Sequence, residues 1–297
     1  MNMSHVYNKS YRSKPVLSTQ NIVLACMGWG VLALLYFLLF SAQIPTQTPQ
    51  GIEELRAEWY IIGTNIFEAI AYLGAGLLCL RNWRSQQIVS GRRVWLAIGI
   101  GMLSFCLGGI FFGYTEIVLK EEPFPSIGDI FFVITYLFVG LAMISALLSK
   151  RINLEPWQWM IIIAIAVSGS ALAWLISNQT SSAGSPVADW AIQIAPILNW
   201  FYVVCDVLLL IVATTLLLAF WGGRVSLSWR MIAAAAFSLY IADMWQKYAT
   251  TSIPEYQSGG ILEVFYVWSG VLFGMGAVLE YDASLSRSRR DRGRKRN

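Results

Sequence analysis

IGDIFFVITYLFVG (residues 127–140) and ILEVFYVWSGVLFG (residues 261–274) decide the fold when one is written above the other. Ile127 then faces Ile261, Phe131 faces Phe265, Val133 faces Val267 and Gly140 faces Gly274, with Asp129 opposite Glu263. Upstream, the same register pairs Trp95 with Trp229, Ser104 with Ser238, Tyr114 with Tyr248 and Glu121 with Glu255. Every pair is 134 positions apart (229 − 95, 274 − 140), so no gap is needed across two helices and their loop. Duplicated membrane units place their shared site at the repeat interface, which says where function should sit.

The medium follows from composition. Hydrophobic residues make up 57% of the 297-residue chain, charged residues only 13%, and mean hydropathy is +0.57. A water-soluble domain carries about 25% charged residues, so this chain lacks a polar surface for water. Its apolar residues come in runs of about 20, the length that crosses a bilayer as helix. The spans expected are 21–42, 60–80, 94–114, 127–148, 157–177, 196–220, 229–248 and 261–280. The expected fold class is therefore an all-α polytopic membrane protein with eight transmembrane helices.

Charge placement orients it. Lys9, Arg12 and Lys14 precede helix 1. Arg81, Arg84, Arg92 and Arg93 lie between helices 2 and 3, Lys150 and Arg151 follow helix 4, and Arg224 and Arg230 lead into helix 7. The alternate connections hold Glu53, Glu54, Glu58, Glu116, Glu121, Glu122, Asp189 and Glu255. By the positive-inside rule both termini are cytoplasmic. The division is an arm (1–20), membrane repeat 1 (21–150), membrane repeat 2 (151–281) and a basic cytoplasmic tail (282–297). Four spans separate equivalent positions, so the repeats run parallel, related by an axis along the bilayer normal. The net charge of +4 sits mostly in the tail. It reads as a topology determinant and a contact for anionic lipid, not for nucleic acid.

Acids inside apolar helices are costly and point to function. Glu68 and Asp206 fall near mid-membrane in helices 2 and 6, at corresponding points of the repeats. The structural alternative is separate hydrogen bonds to neighbours such as Asn65 or Tyr202. Asp129 has the capping-box spacing with Ser126, and Glu263 the same third position after Gly260, so capping accounts for both. Asp243 lies opposite Gly109 in the repeat and four residues before Lys247, the spacing of an ion pair. Together Asp243, Lys247, Asp129, Glu263, Tyr114 and Tyr248 suggest an outer-facing polar pocket. Trp59, Tyr60, Trp157, Trp159, Trp190, Trp200 and Trp229 read as interfacial anchors.

Several chemistries are excluded. His5 is the only histidine and lies in the polar arm, so histidine-ligated haem and zinc are out. No Ser–His pair, P-loop or glycine-rich nucleotide fingerprint is present. Lys247 is near a helix end, where retinal attachment would want a mid-helix lysine. Cys26, Cys79, Cys106 and Cys205 lie within helices without CxxC spacing and read as small core residues. No catalytic or metal-ligating set emerges, and a cofactor is unknown. Asn178 heads a formal glycosylation sequon.

PFPSIGDIFFVITY (123–136) resembles the P-x-P-S-x-A-D-x-x-Y-L-x-x-Y stretch of bacterial multi-span sensory modules. In those proteins the module precedes diguanylate cyclase, phosphodiesterase or histidine kinase domains. LNWFYVVCD (198–206) is similar to their L-D-x-x-Y-x-x-x-D helix. IADMW (241–245), with GGILEVFY (259–266), resembles their closing pair of motifs. The resemblance spans roughly 95–280 and implies that Asp129, Asp206 and Asp243 are recurring acids, with Glu263 replacing an Asp. It departs at Gly128, where Ala is expected, and at Gly109, where an acid is. Only a short basic segment follows Tyr281, so the implied protein is a sensory module without an output domain.

The expectation is thus a non-enzymatic protein of the bacterial cytoplasmic membrane. It would sense or bind a small ligand or a membrane-protein partner through its outer half. The alternatives are a secondary transporter or proton-coupled carrier, and an assembly or scaffold subunit of a membrane complex.

Overall fold

Ser18 and Ser126 open two of the helices, each just before an apolar run. The Ser18 hydroxyl accepts the first-turn N–H of Asn21, whereas Ser126 donates its N–H and its hydroxyl to the Asp129 carboxylate. The computed structural model describes residues 18–48, 51–119, 124–149, 154–177, 189–220, 226–253 and 256–294. Among them run eight long helices: α1 (Thr19–Phe40), α2 (Glu58–Arg84), α3 (Arg92–Tyr114), α4 (Ile127–Leu148), α5 (Pro156–Ser177), α6 (Asp189–Ala219), α7 (Ser226–Ser252) and α8 (Val264–Arg294). A π-helical turn, Thr115–Leu119, continues α3, and a 3-10 turn, Ile261–Glu263, leads into α8. The residues of the N-terminal arm up to 17, with Glu121, Glu122, Glu255, Lys150, Arg151, Arg224 and the Asn178 sequon, lie outside the described residues.

Seven of the helices are long and apolar enough to cross a membrane, and the chain is an all-helical membrane protein. The eighth, α7, falls short because Arg230, Asp243, Gln246 and Lys247 interrupt its apolar residues. Much of its surface meets protein instead: Trp229, Ile232, Ala233, Ala236, Leu239 and Ala242 are buried against its neighbours, while Leu227, Ile241 and Tyr248 are exposed. A helix face covered by protein need not be apolar.

Successive helices alternate direction, and cross-links fix which ends meet. Thr19 Oγ1 donates to Asp282 at 3.2 Å, and the Val89 N–H donates to Ser284 at 3.2 Å, both at the end where Arg81, Arg84, Arg92 and Arg93 cluster. At the opposite end, strands β1 (Ile44–Thr48) and β2 (Gly51–Leu55) form an antiparallel hairpin in the register Ile44↔Leu55. The sequence shows this segment only as a polar connection.

The core lies between α2, α3, α4, α6, α7 and α8, with α1 set against α8 and α2 and α5 against α6 and α7. Trp95 and Trp229, each in the first turn of its helix, meet within it, ring centroids 6.1 Å apart, and Phe220 stacks on Trp229. Trp229 is therefore a core residue and not an interfacial anchor. The same correction holds for Tyr60, which is fully buried and donates to the Gly259 carbonyl at 2.7 Å. Trp59, Trp157, Trp159 and Trp200 are exposed, as anchors are. Pro196 was expected to open helix 6; that helix begins at Asp189 and holds Pro196 inside. The last helix runs on to Arg294 through much of the basic segment.

Helix contacts rest on small residues and hydroxyl-to-carbonyl bonds, the means available where lipid removes the hydrophobic drive. Thr135 donates to the Gly101 carbonyl at 3.0 Å, Ser228 to Gly276 at 2.8 Å and Asn82 Nδ2 to Ala277 at 2.8 Å. The crossing of α3 and α4 explains one departure from the sensory-module pattern. A Cβ on Gly128 would lie 2.9 Å from the Gly108 carbonyl oxygen, which is backbone and cannot swing away. Gly128→Ala should therefore lower stability by roughly 1–2 kcal/mol, read as an earlier midpoint in thermal unfolding in detergent micelles.

Candidate functional site

The site builds up from two helix starts. At α4 the Ser126 N–H donates to Asp129 Oδ2 at 2.6 Å, and the Ser126 hydroxyl lies 3.0 Å from the same oxygen. At the start of α8 the Glu263 carboxylate takes the N–H of Gly259 at 2.7 Å and of Gly260 at 3.1 Å. Both acids therefore do the capping their spacing suggested. Each also accepts from a tyrosine: Tyr202 donates to Asp129 Oδ1 at 2.7 Å, and Tyr256 donates to Glu263. Burial, and then the charge of Glu263, hold the Tyr256 phenol above the ordinary tyrosine range, so it stays a donor.

One layer deeper, Tyr136 of α4 places its hydroxyl 2.5 Å from Asp206 Oδ1 of α6 and 2.6 Å from Asp243 Oδ2 of α7. Tyr266 of α8 donates to Asp243 Oδ1 at 2.9 Å. Four helices thus meet on two carboxyl groups. Asp206 is only 3% exposed and Tyr136 only 6%, so water does not mediate the contact. A hydroxyl has one proton to donate, so both Tyr136 contacts can be hydrogen bonds at once only when one of the two carboxyl groups carries a proton. This is the chemical capacity of the site: to take up or release a proton, or to exchange it for a donor on a ligand.

Glu68 lies beside this network without joining it. Asp243 and Glu263 are near enough for their charges to act on it, yet no described side chain is in hydrogen-bond range of its carboxyl. It rests against Gly109, where a Cβ would come within 3.2 Å of Glu68 Oε1. The absence of an acid at position 109 thus makes room for the acid of α2. The hydroxyls of Tyr72 and Ser269, both wholly buried, face each other close by. On the other side of Gly109 runs an apolar groove of roughly 270 Å³, lined by Ile62, Asn65, Ala69, Gly113 and Tyr114.

Not every expected residue belongs here. Lys247 does not pair with Asp243: its ammonium donates to Asn199, while Asp243 is already held by two phenols. The helical spacing was right, but the phenols approach from α4 and α8, across the bundle. Tyr114 is 54% exposed on the groove, and Tyr248, 40% exposed, lies against Trp245. Neither reaches the acids, so the structure does not bring together the six-residue pocket expected from sequence. Tyr136, Tyr256 and Tyr266 escaped the sequence reading. Spacing gave a signal for the first: Tyr136 lies two helical turns after Asp129, on the same face. Among the described residues no three His, Cys, Asp or Glu side chains are grouped to hold a metal ion.

Fold and site together define a helical membrane protein with a buried carboxylate–tyrosine network. Comparison with protein-family models, curated proteins and solved structures gives no match.

Proposed function

We propose that the protein is a non-enzymatic sensory or ligand-binding module of the bacterial cytoplasmic membrane. It is built from two parallel four-helix repeats with both termini cytoplasmic, and the carboxylate–tyrosine network is its responsive element. The hairpin end is then outer and the arginine-rich end inner. Support for the repeat comes from Trp95 and Trp229, which are 134 positions apart and pack on each other in the core (229 − 95). It also comes from two exchanged contacts, since α2 packs on α8 as α6 packs on α4.

The observation that carries the functional reading is the Tyr136 bridge between Asp206 and Asp243. A ligand acts on a two-state bundle only by binding its arrangements unequally. A ligand donor that replaces a carboxyl proton in this bridge would change how α4, α6, α7 and α8 are tied. Purification from the native membrane in mild detergent, with mass spectrometry of co-purifying molecules, tests this. A small molecule should accompany the wild type and be lost from Asp243→Asn, with the folded yield unchanged. Equal retention by both proteins would remove the network from the binding site.

Glu68, an acid beside two others with no hydrogen-bond partner among the described residues, favours a second reading as a proton-coupled carrier. Reconstituted in liposomes under an imposed pH gradient, a carrier should move protons with its substrate and stop on Glu68→Gln. A sensor should move none.

A further inference from the structure

Glu68 and Asp206 are counterparts in the two repeats if helices 2 and 6 are allowed a slip of four positions (206 − 68 = 138, against 134 elsewhere). Their surroundings differ. Asp206 faces the hydroxyl of Tyr136, which also reaches Asp243. The 134-position register puts glycine at both matching places, Gly270 for Tyr136 (270 − 136) and Gly109 for Asp243 (243 − 109). Glu68 is therefore a copy of Asp206 that lacks both partner side chains. Among the described residues nothing donates to its carboxyl, which is enclosed by neighbouring helices yet keeps some exposure.

The two glycines differ in what surrounds them. At Gly270 a Cβ would lie 3.0 Å from the Ala71 Cβ and 3.1 Å from the Tyr72 nitrogen, so α2 and α8 close that side. At Gly109 the one atom within 4 Å of such a Cβ is Glu68 Oε1, at 3.2 Å. The bare face of α3 thus leaves a space that ends on the carboxyl. Gly109 also lines the apolar groove between α2 and α3, whose walls include the exposed Ile62, Ile66 and Ile110. Gly113, one turn on, repeats the arrangement. A Cβ there would fall 2.6 Å from Asn65 Oδ1, and Asn65 spends its amide N–H on the Ile61 carbonyl at 2.9 Å. Behind each glycine stands an acceptor that no described residue supplies with a donor.

We propose that this groove binds an alcohol or phenol dissolved in the bilayer, its apolar body lying along the glycines of α3 and its hydroxyl meeting Glu68. The class follows from what is missing. A carboxyl in an apolar helix with no donor has a large unmet hydrogen-bonding demand. The isoleucines call for an apolar body, and the group that serves the counterpart acid is a tyrosine hydroxyl. A hydroxyl both donates and accepts, so it suits Glu68 with or without its proton. The groove is open on its outer side, so such a molecule enters from lipid without crossing water. The repeat serves here only to name the missing group, and the sensory role is not required. Retention or loss of a co-purifying molecule in Asp243→Asn therefore leaves this site standing.

The test is equilibrium binding of tritiated 4-octylphenol to the full chain in nanodiscs. The wild type should show a saturable site. 4-Octylanisole, the same body with its donor methylated, should compete about tenfold less well, the weight of one hydrogen bond to a charged acceptor. Glu68→Gln keeps an acceptor but loses the charge and should weaken binding about fivefold. Gly109→Val fills the space beside Oε1 and should abolish saturable binding; this variant also decides the matter if Glu68→Gln does not fold. Absence of a saturable site, equal competition by 4-octylanisole, or unchanged binding in either variant would overturn the proposal. Displacement of the phenol by a lower concentration of octylammonium would assign the site to cations and overturn the hydroxyl class.

Discussion

Tyr136→Phe should lower the stability of the bundle by about 2–4 kcal/mol, because it removes one hydroxyl that serves two buried carboxyl groups. The ring volume stays, so no cavity is created, and the loss is purely one of hydrogen bonding. Asp206, 3% exposed, would keep no hydroxyl donor, while Asp243 would retain only Tyr266. The cost should fall when a carboxylate is neutralised at the same time. Asp243→Asn supplies an amide N–H to Asp206 in place of the phenol, so the double variant should be less destabilised than the sum of the two. Unfolding in mixed micelles measures all three proteins, and the coupling is the departure from additivity. Strict additivity would mean that Tyr136 and Asp243 do not share a proton network, whatever their distance. The same cycle run with Asp129→Asn should be additive with Tyr136→Phe, since Asp129 has its own phenol in Tyr202.

The helices were legible in the sequence because lipid makes a simple demand. An apolar run of about 20 residues between charges has one stable form in a bilayer. α4 runs over the same 127–148 that its sequence indicates, bounded by Ser126 and by the polar residues after Leu148. Boundaries were missed where that demand lapses. α6 begins before its apolar run, where Asp189 starts a helix that hydropathy does not mark, and α8 continues past it through arginines. The hairpin of residues 44–55 was not legible, since Thr46, Gln47, Glu53 and Glu54 give it no apolar face. Such a strand pair has no periodicity to read.

The acids were legible for a related reason: a carboxyl group in an apolar helix is conspicuous by its cost. Their partners were not. A tyrosine among thirteen, in a chain where 14% of residues are aromatic, carries no mark of its own. Which phenol meets which carboxylate depends on the packing of α4 against α6 and of α8 against α7, contacts between residues as far apart as Tyr136 and Asp243. The expected Asp243–Lys247 pair shows the same limit from the other side. Spacing along one helix identifies residues that can meet, and tertiary neighbours decide whether they do.

Arg56→Ala should free the segment 256–260, which holds Glu263 at one end of the acid network. Arg56 comes just after β2, and its guanidinium donates to the carbonyls of Ser41 at 3.3 Å, Ser258 at 3.4 Å and Gln257. It also faces the ring of Tyr256 at 5.8 Å. That segment in turn supplies Glu263 with two backbone N–H groups and a phenol. Losing the clamp removes several charge-assisted bonds at a half-buried position, so local opening should become easier by about 2–3 kcal/mol. Hydrogen exchange of the amides of Gly259 and Gly260 should then quicken by about 30- to 150-fold, while the core amides of α7 hardly change. Arg56→Lys retains the charge but not the fork, and should recover only part of the protection. Unchanged exchange at both glycines would show that Glu263 and the Tyr60–Gly259 bond hold the segment without Arg56. Uniform quickening across the bundle would show instead that Arg56 supports the whole fold.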